Sequence, residues 1–319
     1  MNKRELFVGI DLGGTNIKSG LVTSSGDIIE EIWVTTDVDK GVNDVLDRVG
    51  HIIRGFIEHV NGETVVRGVG MGIPGQIDIR NGLLKESPNL PGWDEIHIDK
   101  ELKKRTGLDV TVDNDANIAA LGEYAYGAGR GVTEMFMVTL GTGVGGGLIL
   151  NGNIYRGATR FAGEFGHMSI DQNGPLCGCG RRGCVEAYVG LNGILRLVKE
   201  KLKTNKQSLL KDIDLKKLMP KDIYHVALKG DEVAIEVFRQ VGEYLGIGLG
   251  NVVNLLNIER VVVGGGVSKA GEFILGPARE SLSKVALKVC SDIVSVVPAS
   301  FVDKAGIVGA ARLVMLNGG

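Results

Sequence analysis

Along this chain, short and nearly continuous apolar runs alternate with longer stretches in which apolar residues recur every three to four positions. The first pattern suits buried strands, and the second suits the core-facing stripe of a helix. Leu6 to Ile10 opens as a strand. A turn follows at Asp11-Leu12-Gly13-Gly14-Thr15-Asn16, then strand patterns at Ile17 to Thr23 and Asp27 to Thr35. Consecutive strands joined by such short turns predict an antiparallel meander. Val42, Val45, Leu46, Val49, Ile52, Ile53, Phe56 and Ile57 keep helical spacing over 42–60. A strand over Val65 to Ile73 ends at Pro74-Gly75, and a helix near 98–106, a strand near 109–113 and a helix from Ala116 to Tyr126 complete the first half.

The pattern then restarts. Glu134 to Leu140 reads as a strand, Gly141-Thr142-Gly143 as a turn and Val144 to Leu150 as a second strand, with Ile154 and Tyr155 opening a third. Helical spacing covers 190–203, 220–229, 231–256 and 271–288, with strands at Arg260 to Val263 and near 293–297, and Lys304 to Met315 reads as a last helix. A strand-turn-strand unit therefore occurs twice, each time followed by helices and further strands. That predicts a two-lobed α/β protein with a ligand between the lobes.

Composition narrows the function classes. A chain of 319 residues can hold two domains of ordinary size, and 44% hydrophobic with 23% charged residues is the balance of a globular protein. A formal net charge of -2 lacks the clustered basic excess of a nucleic-acid binder, so no nucleic acid is expected. The N-terminal apolar run is broken at once by Asp11 and glycines, which excludes a signal peptide or membrane span there and sets the expectation of a cytoplasmic protein. Four cysteines fit a reducing compartment, with Cys290 expected as a buried free thiol. The 49 glycines are concentrated in runs such as LGTGVGGG and VGGGV, where backbone is expected to approach a ligand closely.

The other three cysteines carry the most specific signal. His167, Cys177, Cys179 and Cys184 follow the spacing His-x9-Cys-x-Cys-x4-Cys within a glycine-rich loop. One imidazole with three thiolates suits a closed tetrahedral zinc site; the bland alternative is a chance cluster of buried thiols, which interleaved glycines disfavour. Glu164 and Glu186 flank the set, so a metal that pins the loop also places two carboxylates where they can accept hydroxyl hydrogen bonds, as a sugar would offer.

Two glycine turns occupy equivalent points of the two halves. The first is Asp11-Leu12-Gly13-Gly14-Thr15; the second is Leu140-Gly141-Thr142-Gly143. Backbone N–H groups and threonine hydroxyls there can grip a nucleotide triphosphate, although either turn alone is equally a plain hairpin. Asp11 suits a magnesium ion held through water, and Lys18 is either a phosphate contact or a solvated strand lysine. Gly265 and Gly266, in the run Gly264 to Ser268 after a strand, either seat adenine and ribose or form a tight connection. Neither turn matches a Walker A or dinucleotide fingerprint. Asp115, at a strand-to-helix junction, is a functional carboxylate or a mere N-cap.

DLGGTNIK at 11–18, DNDANIAALGE at 113–123, LGTGVGGG at 140–147, GEFGHM at 163–168 and CGCGRRGCVE at 177–186 together resemble the ROK family of repressors and sugar kinases, and more closely its bacterial glucokinases. The resemblance runs through the whole chain. It implies the actin-like, hexokinase-type ATPase fold of duplicated ribonuclease H-like domains, with 1–116 and about 303–319 as a small lobe and 117–302, with the zinc loop 163–186, as a large one. It implies transfer of the ATP γ-phosphoryl group to the C6 hydroxyl of a hexose, with Mg²⁺ and a structural Zn²⁺. On this reading Asp115 is the general base. Gly75, Asn89, Asn114, Glu164, His167 and Glu186 hold the sugar, His167 also being a zinc ligand. Ser87 to Trp93 looks glucokinase-like, which puts glucose ahead of fructose, mannose and N-acetylmannosamine. A homodimer or homotetramer is implied as well. A sugar-sensing repressor would need a DNA-binding domain ahead of Leu6, and polyphosphate as donor would need a basic cluster beside the phosphate turns; neither is expected.

Overall fold

The computed structural model describes residues 4–60, 64–87, 90–204 and 207–317. It divides into two compact units, one of Met1–Gly131, Gly147–Ala162 and Asp303–Gly319, the other of Val132–Gly146 and Gly163–Val302.

The first unit begins with the expected meander. β1 (Arg4–Leu12) and β2 (Asn16–Thr23) are antiparallel with Asp11 opposite Lys18, and β2 continues into β3 (Ile28–Thr35). α1 (Val42–His59) turns Val45, Leu46, Val49, Ile52, Ile53 and Phe56 into the core, the stripe its spacing dictates. β4 (Thr64–Ile73) runs parallel to β1 and is buried over most of its length, which is why its pattern is a continuous apolar run rather than an alternation. Next come β5 (Gln76–Asp78), β6 (Leu83–Glu86) and β7 (Ile96–His97), a small separate sheet. Its strands are too short for alternation to show in a sequence. α2 (Ile98–Thr106), β8 (Val110–Asn114) and α3 (Asp115–Tyr126) complete this stretch, and the main sheet has the order β3-β2-β1-β4-β8.

The second half repeats that plan. β9 (Met135–Leu140), β10 (Val144–Leu150) and β11 (Asn153–Tyr155) follow one another through tight turns. After α4 (Glu186–Val189), α5 (Leu191–Thr204), α6 (Pro220–Ala227) and α7 (Glu232–Leu256), β12 (Arg260–Gly264) returns parallel to β9. α8 (Glu272–Val285) and α9 (Lys288–Ser291) then lead to β13 (Ser295–Pro298), parallel to β12. The order β11-β10-β9-β12-β13 matches that of the first sheet, so the duplication expected from the restarting pattern is a duplication of topology.

Two expectations need correction. The helix expected over 271–288 stops at Val285, because Asn254 of α7 clamps the chain there: its side chain donates to the Val285 carbonyl (3.2 Å) and accepts from the Leu287 N–H (2.7 Å). Cys290, expected buried, is half-buried on the short α9, while Cys177 and Cys184 are the buried thiols.

α10 (Ala305–Asn317) returns to the first unit and lies directly on its sheet. A Cβ on Gly9 would sit 1.9 Å from the Ile307 carbonyl oxygen, and one on Gly70 1.8 Å from that of Ala310. These glycines serve close helix-on-sheet packing rather than a ligand, which accounts for part of the glycine excess. No helix among the described residues is long and apolar enough to cross a membrane.

Candidate functional site

In the first unit the loop after β1 is tied down by a residue the sequence reading did not single out. The fully buried Thr36 donates its hydroxyl to the Gly13 carbonyl (2.6 Å) and its N–H to the Thr15 carbonyl (2.8 Å), while the Gly13 N–H bonds the Asn16 carbonyl (2.9 Å). Gly13 and Gly14 do not adopt positive φ; a Cβ on Gly13 would come 3.2 Å from the Asn16 carbonyl oxygen, so Gly13 serves a close approach of backbone rather than a left-handed turn. Asp11 stands at the end of β1 beneath Gly306, where a Cβ would come within 2.5 Å of its Cγ. Burial, and then the nearby Asp115 carboxylate, push its pKa up to about 6, against a smaller lowering by Lys18. Lys18 itself lies 3.3 Å from the Asp303 carbonyl and 4.0 Å from its carboxylate, over the Trp33 ring at 5.0 Å.

The β8–α3 junction carries the proposed base. Asn114, not Asp115, is the N-cap: its Oδ1 accepts from the N–H groups of Ala116 (2.9 Å) and Asn117 (3.3 Å). Asp115 is the first helical residue, so capping does not account for it, and its own Oδ1 also accepts from the Ala116 N–H (2.9 Å). Asn114 Nδ2 points to the Gly75 carbonyl at 3.4 Å, so two expected sugar contacts come together. Gly75 has φ 119, and a Cβ there would meet the Glu86 carbonyl oxygen at 2.3 Å and Ser87 at 2.9 Å; both the backbone and the space require glycine. The Ser87 hydroxyl and the Trp93 indole N–H are buried without hydrogen-bond partners. Between them in sequence lies Asn89, which falls outside the described residues.

In the second unit the Leu140 to Gly143 turn is bound to neighbours on both sides. Gly141 N–H donates to the Gly143 carbonyl (2.9 Å), and Leu191 N–H reaches the carbonyls of Gly141 (3.2 Å) and Thr142 (3.3 Å). Glu186, the first residue of α4, accepts the Val144 N–H on its Oε2 (3.0 Å), and a Cβ on Gly143 would lie 2.6 Å from that oxygen. Gly265 has φ 86 and packs so closely that a Cβ would meet the Leu140 carbonyl oxygen at 2.3 Å. Gly266 begins a 3₁₀ turn that ends at Ala270. The two glycine motifs of this unit, far apart in sequence, are therefore adjacent.

The loop 164–186 gathers its four candidate ligands. The donor atoms of His167, Cys177, Cys179 and Cys184 all lie within 4.8 Å of one another. Cys179 Sγ and Cys184 Sγ are 3.7 Å apart, and Cys177 Sγ and His167 Nδ1 are 3.8 Å apart. A tetrahedral ion with Zn–S bonds of about 2.3 Å would separate two sulfurs by about 3.8 Å, so the set fits zinc. The thiol chemistry agrees. Burial holds Cys177 up at about 12 and raises Cys184, while the Arg181 backbone N–H lowers Cys179 to about 7; packed thiols of this kind ionise together only with a cation among them. With Nδ1 turned to the thiols, His167 Nε2 faces Glu164 at 4.0 Å. Glu164 is exposed, and Glu186 Oε1 lies 3.6 Å from Cys177 Sγ.

Against known proteins, residues 7–316 match the ROK family. The chain is 37% identical over 310 residues to the glucokinase of Thermotoga maritima, covering 97% of this chain and 96% of that one. It is also 37% identical, over 316 residues, to the glucokinase of Halalkalibacterium halodurans, covering 97% and 94%. The crystal structure of a ROK family glucokinase from Streptomyces griseus in complex with glucose and AMPPNP superposes with a TM-score of 0.84 at 35% identity, over 97% of this chain and 98% of that one.

Proposed function

This chain belongs to the ROK family, and from that premise we propose that it transfers the γ-phosphoryl group of MgATP to the C6 hydroxyl of a hexose, with glucose as the preferred acceptor. The actin-like, hexokinase-type fold it shares with its relatives supplies the two phosphate turns. Asp115 takes the proton of the acceptor hydroxyl as the new O–P bond forms and the bond to the β-phosphate oxygen of ATP breaks, releasing ADP. Asp11 faces the magnesium ion of the nucleotide through water. Asn114, the Gly75 backbone, Asn89, Glu164, His167 and Glu186 hold the sugar hydroxyls. The backbone of Gly13, Gly14 and Thr15, that of Gly141, Thr142 and Gly143, and Lys18 steady the phosphates, with Gly265 and Gly266 near the nucleoside. His167, Cys177, Cys179 and Cys184 would hold a zinc ion with no open position, so the ion would serve structure, steadying the loop between Glu164 and Glu186.

The observation that carries this reading is the pairing of Asp115 with Asp11. Two carboxylates, one ending β1 and one opening α3, are close enough for one to raise the pKa of the other, at a helix start already capped by Asn114. Such an arrangement costs stability and fits a divalent cation and a proton acceptor. We further place the protein in the cytoplasm as a homodimer or homotetramer, the implication of its family; light scattering of the purified protein distinguishes those states from a monomer.

The test of function is ADP release with MgATP across glucose, mannose, fructose, N-acetylglucosamine and N-acetylmannosamine, with zinc determined on the same sample. Preference for glucose by more than about tenfold in kcat/KM, about 1.4 kcal/mol of discrimination, supports the reading. Preference for another sugar keeps the mechanism and changes the substrate, and no turnover on any sugar refutes a kinase.

A further inference from the structure

Asp113 and Arg156 form a buried ion pair in the first unit that none of the roles above requires. Asp113 is 2% exposed and the Arg156 side chain 18%. Arg156 follows β11 and sends both Nε (2.8 Å) and Nη2 (2.6 Å) to Asp113 Oδ2. The other oxygen, Oδ1, accepts the backbone N–H of Asn114 (2.7 Å) and Nδ2 of Asn117 (3.1 Å). One carboxylate thus receives a guanidinium fork on one side, and on the other it holds both the last residue of β8 and the first turn of α3, the two segments that flank Asp115. Asn117 Oδ1 is buried without a partner, so among these contacts only Asp113 orients that amide. The backbone N–H of Ala162 closes the segment after Arg156 onto the Arg156 carbonyl at 3.0 Å, which fixes the arginine from its own side.

Stability alone is a weak reason for such a pair. Withdrawing both charges from water costs about as much as their attraction returns, and well-packed apolar residues would serve the core as well. What a hydrogen-bonded fork does supply is fixed geometry. We propose that Arg156 is a positioning residue for phosphoryl transfer: acting through Asp113, it holds the β8–α3 junction so that Asp115 meets the acceptor hydroxyl in a reactive geometry. This rests on the reading of Asp115 as the base.

The experiment compares Arg156→Lys, Arg156→Met, Asp113→Asn, the double variant Arg156→Met with Asp113→Asn, and Asp115→Asn as the reference, measuring kcat, KM for the sugar and thermal midpoint for each. Arg156→Met strands a buried carboxylate and loses stability. The double variant removes both charges and regains much of the midpoint, while the amide introduced at position 113 keeps an oxygen for Asn114 and Asn117. If Arg156 positions the base, kcat of the double variant stays down by about 100-fold, the scale of a small misplacement of reacting groups, with KM within about threefold of the parent. Arg156→Lys, which keeps the charge but not the fork, falls between. Return of kcat with the midpoint in the double variant overturns the proposal, as does a loss confined to KM. If the double variant does not fold, Arg156→Lys decides: unchanged kcat in that variant rejects a positioning role. Near-normal turnover of Asp115→Asn would instead remove the base itself and this proposal with it. An inactive Asp115→Asn beside a fully active double variant would remove only the role of Arg156.

Discussion

At the scale of single residues, burial governs Asp11 of the first unit. A Glu or Asp lifted by burial is stable when protonated and costs free energy when it ionises. Asp11, raised from 3.8 to about 6, binds more protons in the folded than in the unfolded chain between those values. Stability therefore falls as pH rises from about 4 to 6. The full window is worth about 3 kcal/mol. Asp11→Asn should remove that slope, so that in the absence of divalent cations the variant gains stability over the parent across this window by denaturant titration; parallel curves would show that Asp11 is not perturbed. Asp115→Asn should lower kcat by about 100-fold to 10,000-fold while sugar binding, followed by calorimetry, persists. Because Asn114 already caps α3 and the substitution removes the repulsion between Asp115 and Asp11, it should leave the thermal midpoint unchanged or raise it, whereas Asn114→Ala should cost about 1 kcal/mol of stability.

Between elements, the second phosphate turn and the start of α4 are joined through one carboxylate. Glu186 faces the cysteine cluster with one oxygen and holds the Val144 N–H with the other, at a distance that only a glycine at 143 permits. Gly143 does not have positive φ, so Gly143→Ala is allowed by the backbone and acts through the contact alone. It should raise KM for glucose by about tenfold, about 1.4 kcal/mol, by displacing Glu186. An effect on KM for ATP with none on KM for glucose would mean that the carboxylate supports the turn and does not touch the sugar.

For the whole molecule, the loop 164–186 is the piece that gathers four candidate metal ligands. Cys177, Cys179, Cys184 and His167 share one small volume, yet burial raises Cys177 to about 12 and also raises Cys184. Cys179→Ser should abolish stoichiometric zinc and weaken sugar binding, because the same loop carries Glu164 and Glu186. Full activity in a variant shown to be metal-free by elemental analysis would show that the loop folds without the ion. The duplicated sheet order and the return of α10 to the first unit, with Gly9 and Gly70 against its backbone, are the other features that act at this scale.

Apolar periodicity by itself determined most elements here, since strands buried on both faces and helices with one buried stripe leave unmistakable patterns; the meanders, α1, α7 and the restart at β9 were all legible. So was the clustering of His167, Cys177, Cys179 and Cys184, because they are close in sequence and chemically distinctive. Three features were decided only in three dimensions. The sheet of β5, β6 and β7 is made by pairing of strands too short to carry a period. The cap at Asn114 rather than Asp115 depends on which side chain reaches the N–H groups of the first helical turn, and both residue types suit that place. Arg156 on Asp113, Thr36 under the first turn and Gly265 against Leu140 join segments distant in sequence. A lone arginine, threonine or glycine carries no mark of its partner, because what selects it is the close approach of another chain segment, and that approach exists only once the fold has formed.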